Sequence, residues 1–410
     1  MNDQRYMKQA IALARRGQGW VEPNPMVGCV IVRDGAVVGR GWHRRFGQAH
    51  AEVEALADAG AAARGAAVYV TLEPCRHVGK TPPCTRALID AGVGRVVIGA
   101  ADPGAASGGG AAELRQAGIA VTTGVCAEAA ADLVAPFVKR TTRGLPWVTL
   151  KWAATVDGAI ATASGHSRWI SNARSRRFVH RLRGRVDAIM VGAGTVRADD
   201  PMLTARDVRP RRIARRVVVD PRLSIDGSSK LLATLDAAPL LIACAAGMAQ
   251  GPGPGGDPPP AAFGAAGRGE AEPPAHDRPL DIAARSRQLT RRGVELLRLP
   301  IDPDAPDTLE LRPLLAHLAA AHEATHVLVE GGARLGASLL RQGLVDEVIA
   351  FVAPRLLGDG RGLPPLRLPD RLPLAPTMEQ AIGMRLVELR RFGDDVMLRY
   401  RSNAPRPPGQ

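Results

Sequence analysis

His50, Glu52, Cys75 and Cys84 are the residues whose types and order most clearly imply chemistry. One imidazole and two thiolates make a three-ligand set for zinc. Three protein ligands leave the fourth tetrahedral position to a water, whose pKa the metal lowers toward ~7. Glu52 stands two residues from His50, so it can point at that water rather than at the metal and carry a proton from it to a leaving group. Each feature has an ordinary reading when taken alone. His-Ala-Glu before a helical run is commonly a surface helix terminus, and two cysteines nine positions apart can be small buried hydrophobes. Their occurrence in order, with Leu72-Glu73-Pro74 setting Cys75 at a strand end, favours the metal. A fourth tightly held ligand would instead define a structural zinc module, and His43 and His77 are the nearby imidazoles that could supply it. Gly79-Lys80-Thr81 looks like the end of a phosphate loop, but Pro74 stands where its first glycine is required.

These residues need elements to hold them. Residues 3–16 repeat apolar positions at helical spacing, and GCVIVRDGAVVGRGWH reads as a hairpin turning at Asp34-Gly35. AHAEVEALADAG then reads as helix, Val68–Leu72 as a short strand, Thr85–Ala91 as helix and Arg95–Gly99 as a buried strand. The alternation predicts a layered α/β domain over residues 1–145, closed by the boundary Arg143-Gly144-Leu145-Pro146. WVTLKWAATVDG, DAIMVGAGT, RRVVVD, THVLVEGG and VDEVIAFVAP are strands of a second α/β domain over 146–402. Residues 247–279, dominated by Gly, Pro and Ala, read as a disordered insertion, and 403–410 as a disordered tail.

The 410 residues exceed what one core usually serves, in keeping with two domains. No run of eighteen apolar residues suggests a membrane span, and the first residues lack the apolar centre of a signal peptide. A cytoplasmic location is expected. Five cysteines are too few for a disulfide framework. The net charge of +14 could attract nucleic acid, but the arginines are scattered and aromatic residues are only 3%, too few for base-stacking platforms. A small phosphorylated substrate fits the charge better, with neither nucleic acid nor membrane as partner.

A non-ligand glutamate beside zinc is the proton carrier of nucleobase deaminases. The eight residues between the cysteines of LEPCRHVGKTPPC, together with Pro23-Asn24-Pro25, Val27-Gly28-Cys29-Val30 and Gly41-Trp42-His43, resemble the bifunctional deaminase–reductase family of riboflavin biosynthesis, the RibD family. The second half resembles the same family through LKWAATVDGAIA, Ser167-Arg168-Trp169-Ile170, VGAGTVRADDPMLTAR, and Val329-Glu330-Gly331-Gly332 with Ser338. The resemblance implies a cytidine-deaminase-like α/β/α domain followed by a dihydrofolate-reductase-like α/β domain. It implies Zn2+ and NADPH as cofactors, and a diaminopyrimidinone carrying ribose 5-phosphate as substrate, with Asn24 hydrogen-bonding the pyrimidine. The expected assembly is a homo-oligomer, dimer or tetramer. Glu22 stands where the family usually has His, and Asp102–Gly108 departs from the family's loop.

In the second half the resemblance sets Ala153, Trp169, Thr195, Asp199 and the run Gly332, Ala333, Arg334, Leu335, Gly336, Ala337, Ser338 against NADPH. Ser167, Arg183, Leu203, Arg206 and Glu330 then face substrate. Arg183 and Arg206 suit bidentate capture of the phosphate, Asp199 and Ser167 can hold sugar hydroxyls, and Lys151 is the candidate for polarising the substrate. Glu330-Gly331-Gly332 at a strand end lets backbone amides approach the cofactor pyrophosphate. Gly192-Ala193-Gly194 alone is a weak dinucleotide signal, because Arg197 occupies the third glycine of that motif. Arg209, Arg211, Arg212, Arg215 and Arg216 read as a solvated face. Two other functions compete. One is a nucleic-acid-editing deaminase with an unrelated C-terminal arm, separable by testing a diaminopyrimidine nucleotide against single-stranded RNA. The other is the structural zinc module.

Overall fold

The computed structural model describes residues 3–78, 82–246, 282–358, 360–368 and 374–403. Gly79-Lys80-Thr81, the 247–279 insertion and all of the expected tail except Asn403 lie outside them.

In the N-terminal half, α1 (Asp3–Ala14) precedes the hairpin β1 (Gly28–Arg33) and β2 (Ala36–Trp42). Then follow α2 (Ala51–Ala59), β3 (Ala67–Leu72), α3 (Cys84–Asp90), β4 (Arg95–Ala100), α4 (Gly110–Gln116), β5 (Ala120–Thr123) and α5 (Ala127–Arg143). The sheet order is β2-β1-β3-β4-β5, with β1 antiparallel to its neighbours and β3, β4 and β5 parallel. Period-2 alternation sorts the strands into two faces. Val30, Val32, Tyr69 and Val97 pack against Tyr6, Met7 and Ala10 of α1, while Cys29, Ile31, Val68, Val70, Val96 and Ile98 pack against α2, α3 and α4. The result is an α/β/α sandwich. Gly41 is required by this packing, since a Cβ there would lie 2.1 Å from the Ala51 carbonyl oxygen. Its bare backbone lets α2 dock on the hairpin and so fixes where His50 and Glu52 stand.

The C-terminal half contains β6 (Trp147–Thr155), α6 (Ala173–Arg183), β7 (Ala188–Gly192), α7 (Ala193–Asp199), β8 (Arg215–Val219), α8 (Lys230–Ala233) and β9 (Leu240–Ala245). It continues with α9 (Ile282–Arg291), β10 (Glu295–Leu299), the small pair β11 (Ile301–Asp302) and β12 (Ala305–Leu309), α10 (Arg312–Ala321), β13 (His326–Glu330) and α11 (Ala333–Arg341). β14 (Glu347–Ala353), β15 (Met384–Phe392) and β16 (Asp395–Ser402) complete it. The nine-stranded sheet runs β10-β9-β8-β7-β13-β6-β14-β16-β15, parallel from β10 to β14 and antiparallel beyond. Its central strands are apolar on both faces, as parallel strands covered by helices must be. Leu314, Leu315 and Leu318 of α10 and Leu335 and Leu339 of α11 fill one side, and Leu231, Leu232 and Leu289 help fill the other. No helix of the described residues is long and apolar enough to cross a membrane.

Arg209 is exposed as expected, but Arg211, Arg212, Arg215 and Arg216 correct the solvated-face expectation. Arg216 is fully buried and donates to the Thr234 hydroxyl at 2.8 Å, the Thr234 carbonyl at 2.9 Å and the Ala238 carbonyl. Arg215 pairs with Glu295 at 2.9 Å. Arg211 donates to the carbonyls of Arg16 and Gln18 at 3.0 and 2.6 Å, and Arg212 bridges Glu22 at 3.4 Å to Asp187. Arg215 and Arg216 open a central strand, and the other two reach the N-terminal half, so carboxylates and carbonyls take the place of water. The halves also meet where Lys139 on α5 pairs with Asp346 at 2.5 Å and Arg401 with Asp132 at 2.6 Å.

Glu22 makes this junction pH-sensitive. Burial pushes its carboxyl up to about 7 from the usual 4.5, with the Asp187 charge adding to the effect. A carboxyl raised in this way binds its proton more tightly folded than unfolded. Its contribution to stability is therefore complete below pH 4.5 and is lost as pH rises through about 7, at up to about 1.4 kcal/mol per pH unit between them. Glu22→Gln is expected to shrink the difference in melting temperature between pH 5 and pH 8. An unchanged difference would show that Glu22 does not titrate in that range.

Candidate functional site

His50 caps the start of α2, Cys84 opens α3, and Cys75 sits in the loop after β3. Three separate elements thus bring one ring nitrogen and two sulfurs together. His50 Nδ1 is 3.3 Å from Cys84 Sγ and 3.6 Å from Cys75 Sγ, and the three donor atoms lie within 4.8 Å of one another. Hydrogen bonding from Cys84 holds the Cys75 thiol well below the usual thiol range, which favours a thiolate there. An N/S2 donor set at this spacing fits zinc, and among the described residues the group has no fourth protein ligand. His43 is committed elsewhere. Its Nδ1 is 3.0 Å from the Ala49 carbonyl, which places the proton there and leaves Nε2 to accept from Asn24 Nδ2 at 3.3 Å. The Asn24 side-chain oxygen remains available.

Glu52, in the first turn of α2, is 3% exposed and outside the donor group, and burial pushes its carboxyl up to about 7. Asn24, His50, Glu52 and Cys75 line one cavity of about 540 Å³. Its wall includes Phe137 and Thr141 of α5 and the altered loop from Asp102 to Ser107. Glu73 holds that loop by accepting from the Asp102 and Ala111 amides at 3.1 and 2.8 Å. Sequence reasoning missed Glu73, Phe137 and Thr141. Only the position of Glu73 inside the Leu72-Glu73-Pro74 strand end hinted at its role.

The second cavity, about 1460 Å³, opens at the C-terminal ends of β7 and β13. It is lined by Lys151, Ala153, Ser167, Trp169, Arg183, Thr195, Asp199, Leu203, Arg206, Glu330, Gly331 through Leu335, and Ser338. Gly336 and Ala337 are not among them. A Cβ on Gly336 would meet Leu150 and Leu366, and Ala337 is buried, because a helix cannot present seven consecutive residues to one ligand. Gly331 and Gly332 have φ of +77° and +89°, a left-handed conformation that β-carbon sterics disfavour, and a Cβ on either would sit 3.4 Å from Thr195 Oγ1. Among the described residues the buried Ser338 hydroxyl has no hydrogen-bond partner. Bare backbone at the end of β13 and an orphaned hydroxyl fit a dinucleotide.

Arg183 does not point free into this cavity. It grips Glu330 with two bonds of 2.6 and 3.0 Å and donates to the Thr204 carbonyl at 3.2 Å. Lys151 Nζ lies 3.9 Å from the same carboxylate, in register across the β6–β13 pair, and burial pushes its pKa down. Arg206 is at the rim, with no partner for its guanidinium among the described residues. Trp169 is 60% exposed with the Arg176 guanidinium 4.4 Å over its ring, so it is not a core residue.

These two sites define a zinc-dependent pyrimidine deaminase joined to a nicotinamide-dependent reductase. Residues 1–100 match the cytidine and deoxycytidylate deaminase zinc-binding region, and residues 146–250 with 277–398 match the RibD C-terminal domain. The riboflavin biosynthesis protein RibD of Aquifex aeolicus is 36% identical over 97% of this chain and 98% of its own. That of Escherichia coli is 38% identical over 97% and 99%. Acinetobacter baumannii RibD superposes with a TM-score of 0.75 at 34% identity, covering 98% and 99% of the two chains. A diaminohydroxyphosphoribosylaminopyrimidine deaminase/5-amino-6-(5-phosphoribosylamino)uracil reductase from Thermotoga maritima gives 0.73 at 31% identity, covering 98% of each. The chain belongs to the RibD family, the bifunctional deaminase–reductases of riboflavin biosynthesis. Its cofactors are zinc and NADPH.

Proposed function

We propose that the N-terminal cavity hydrolytically deaminates 2,5-diamino-6-(ribosylamino)pyrimidinone 5′-phosphate, and that the C-terminal cavity then reduces the ribosyl chain of 5-amino-6-(5-phosphoribosylamino)uracil to ribityl. The observation that carries this reading is the convergence of His50, Cys75 and Cys84 beside buried Glu52 in a cavity that Asn24 also lines. His50, Cys75 and Cys84 would hold zinc, which supplies the Lewis acidity that makes water a nucleophile near neutral pH. Glu52 takes a proton from the attacking water and returns it to the departing amine. The free oxygen of Asn24 accepts from the pyrimidine, with His43 fixing the amide's orientation.

In the second cavity NADPH supplies the hydride. Gly331, Gly332, Thr195 and Ser338 line the groove for it, Trp169 and Asp199 border it, and Ser167 and Leu203 shape the substrate side. Positioning is most of the work. Lys151 is the group that can give a proton to the opening sugar, while Glu330, braced by Arg183, holds its ammonium in place. Arg206, free at the rim, is the phosphate ligand, whereas Arg183 serves by bracing Glu330. Arg206→Ala is expected to raise the reductase KM roughly tenfold to a hundredfold, matching about 1.5–3 kcal/mol for a charged hydrogen bond, with deamination unchanged. An unaltered KM would move the phosphate elsewhere.

The reading includes a cytoplasmic enzyme working as a dimer or tetramer. The five free cysteines suit a reducing compartment, and exposed Leu386 and Leu389 on edge strand β15 suit burial against another subunit. Supplying the diaminopyrimidinone phosphate with and without NADPH, with zinc quantified, tests both halves. Deamination without NADPH and ribityl product only with it are expected. Failure of either step refutes that half of the reading, and deamination of single-stranded RNA would favour the nucleic-acid-editing alternative.

A further inference from the structure

At the N-terminal end of edge strand β10, the end of the parallel strands away from the cavity, Glu295 opens the strand, His317 lies on α10 and His322 follows the last residue of that helix. His317 Nε2 is 2.7 Å and His322 Nε2 is 3.0 Å from the same oxygen, Glu295 Oε1. The two rings meet edge to face with centroids 5.2 Å apart, and the three donor atoms lie within 4.8 Å of one another. The other carboxylate oxygen accepts from Arg215 at 2.9 Å.

We infer that Glu295, His317 and His322 form a second metal site, for a divalent transition-metal ion such as zinc, distinct from the one at His50. Two imidazoles and one carboxylate are a complete three-point set for such an ion, and, like the sulfur-containing set, their donor atoms lie within 4.8 Å of one another. The side chains are 21–31% exposed, which leaves an open face where water completes the coordination. Arg215 occupies only Oε2, so Oε1 is directed at the ion as a single-oxygen ligand, in the manner of an outer-shell partner. Its positive charge, with only one anionic ligand in the set, makes this site weaker than the thiolate site. The ion would tie edge strand β10 to α10, a structural role separate from both reactions.

The test is metal counting on the full chain equilibrated with micromolar free zinc. Two equivalents per chain are expected, the second being the first removed by a weak chelator. His317→Ala/His322→Ala should bind one equivalent and deaminate normally. Cys75→Ala/Cys84→Ala should also bind one, and Co2+ added to it should give weak ligand-field absorption without a thiolate charge-transfer band. That variant separates this inference from the deaminase reading, because it lacks the first site altogether. A single equivalent in the unaltered chain would overturn the proposal. So would two equivalents that persist in the His317→Ala/His322→Ala protein, and neither result depends on the cysteine variant folding.

Discussion

Glu52→Gln is expected to keep stoichiometric zinc and lose deamination by a factor of roughly 10²–10⁴, the usual worth of a positioned proton carrier. The side chain is buried in the first turn of α2, two residues from His50, yet it is not one of the three converging donors. Its carboxyl is pushed up to about 7 by burial, close to the pH at which a group can both accept and release a proton. An amide keeps the shape and can still hydrogen-bond water. It cannot shuttle the proton. Reduction should persist in this variant when the deaminated intermediate is supplied directly, since Glu52 does not line the second cavity. Cys75→Ala or Cys84→Ala should behave differently and lose the zinc of this site together with the activity. Zinc content by atomic absorption and turnover by chromatography separate the cases. Turnover within tenfold of the unaltered enzyme would remove Glu52 from the reaction, and loss of zinc would make it a ligand.

Local pattern made much of this architecture readable. The hairpin at Asp34-Gly35, the central strands β3, β7, β8 and β13 and the α2 start all follow from apolar period and turn chemistry. The three converging donors His50, Cys75 and Cys84 were readable because metal chemistry restricts such sets to few residue types in order. What escaped was set by distant partners. Arg216 looks like any other arginine in an Arg-rich stretch until the Thr234 and Ala238 carbonyls close around it. Phe137 and Thr141 reach the deaminase cavity from a helix far along the chain. The run from Gly332 to Ser338 reads as one ligand-facing segment, but winding it into α11 turns Gly336 and Ala337 into the core. Glu22 gives no sequence hint that its counterion, Arg212, belongs to the other half.

Glu330→Gln is expected to destabilise the protein by about 3–5 kcal/mol, the cost of leaving buried charge without its partner. Arg183 and Lys151 both face this carboxylate, and their side chains are only 14% and 17% exposed. Although burial pushes the Glu330 carboxyl up, the Arg183 charge and hydrogen bonds hold it below the usual range. Neutralising it strands two cations. For a domain of this size the loss corresponds to a fall in melting temperature of about 6–20 °C. Arg183→Met should cost less, because Lys151 remains at 3.9 Å to offset Glu330. The Glu330→Gln/Arg183→Met protein should then be more stable than the two single losses added together predict, by about 0.5–3 kcal/mol, because the second substitution removes a charge the first left unpaired. If the losses simply add, Arg183 and Glu330 are not energetically coupled and the pair is held by the surrounding backbone alone. Reductase kinetics complete the cycle. Should Arg183 act by bracing Glu330, both single variants lower kcat with KM for the phosphorylated substrate little changed. A rise in KM confined to Arg183→Met would instead return Arg183 to the phosphate, as its sequence position first suggested.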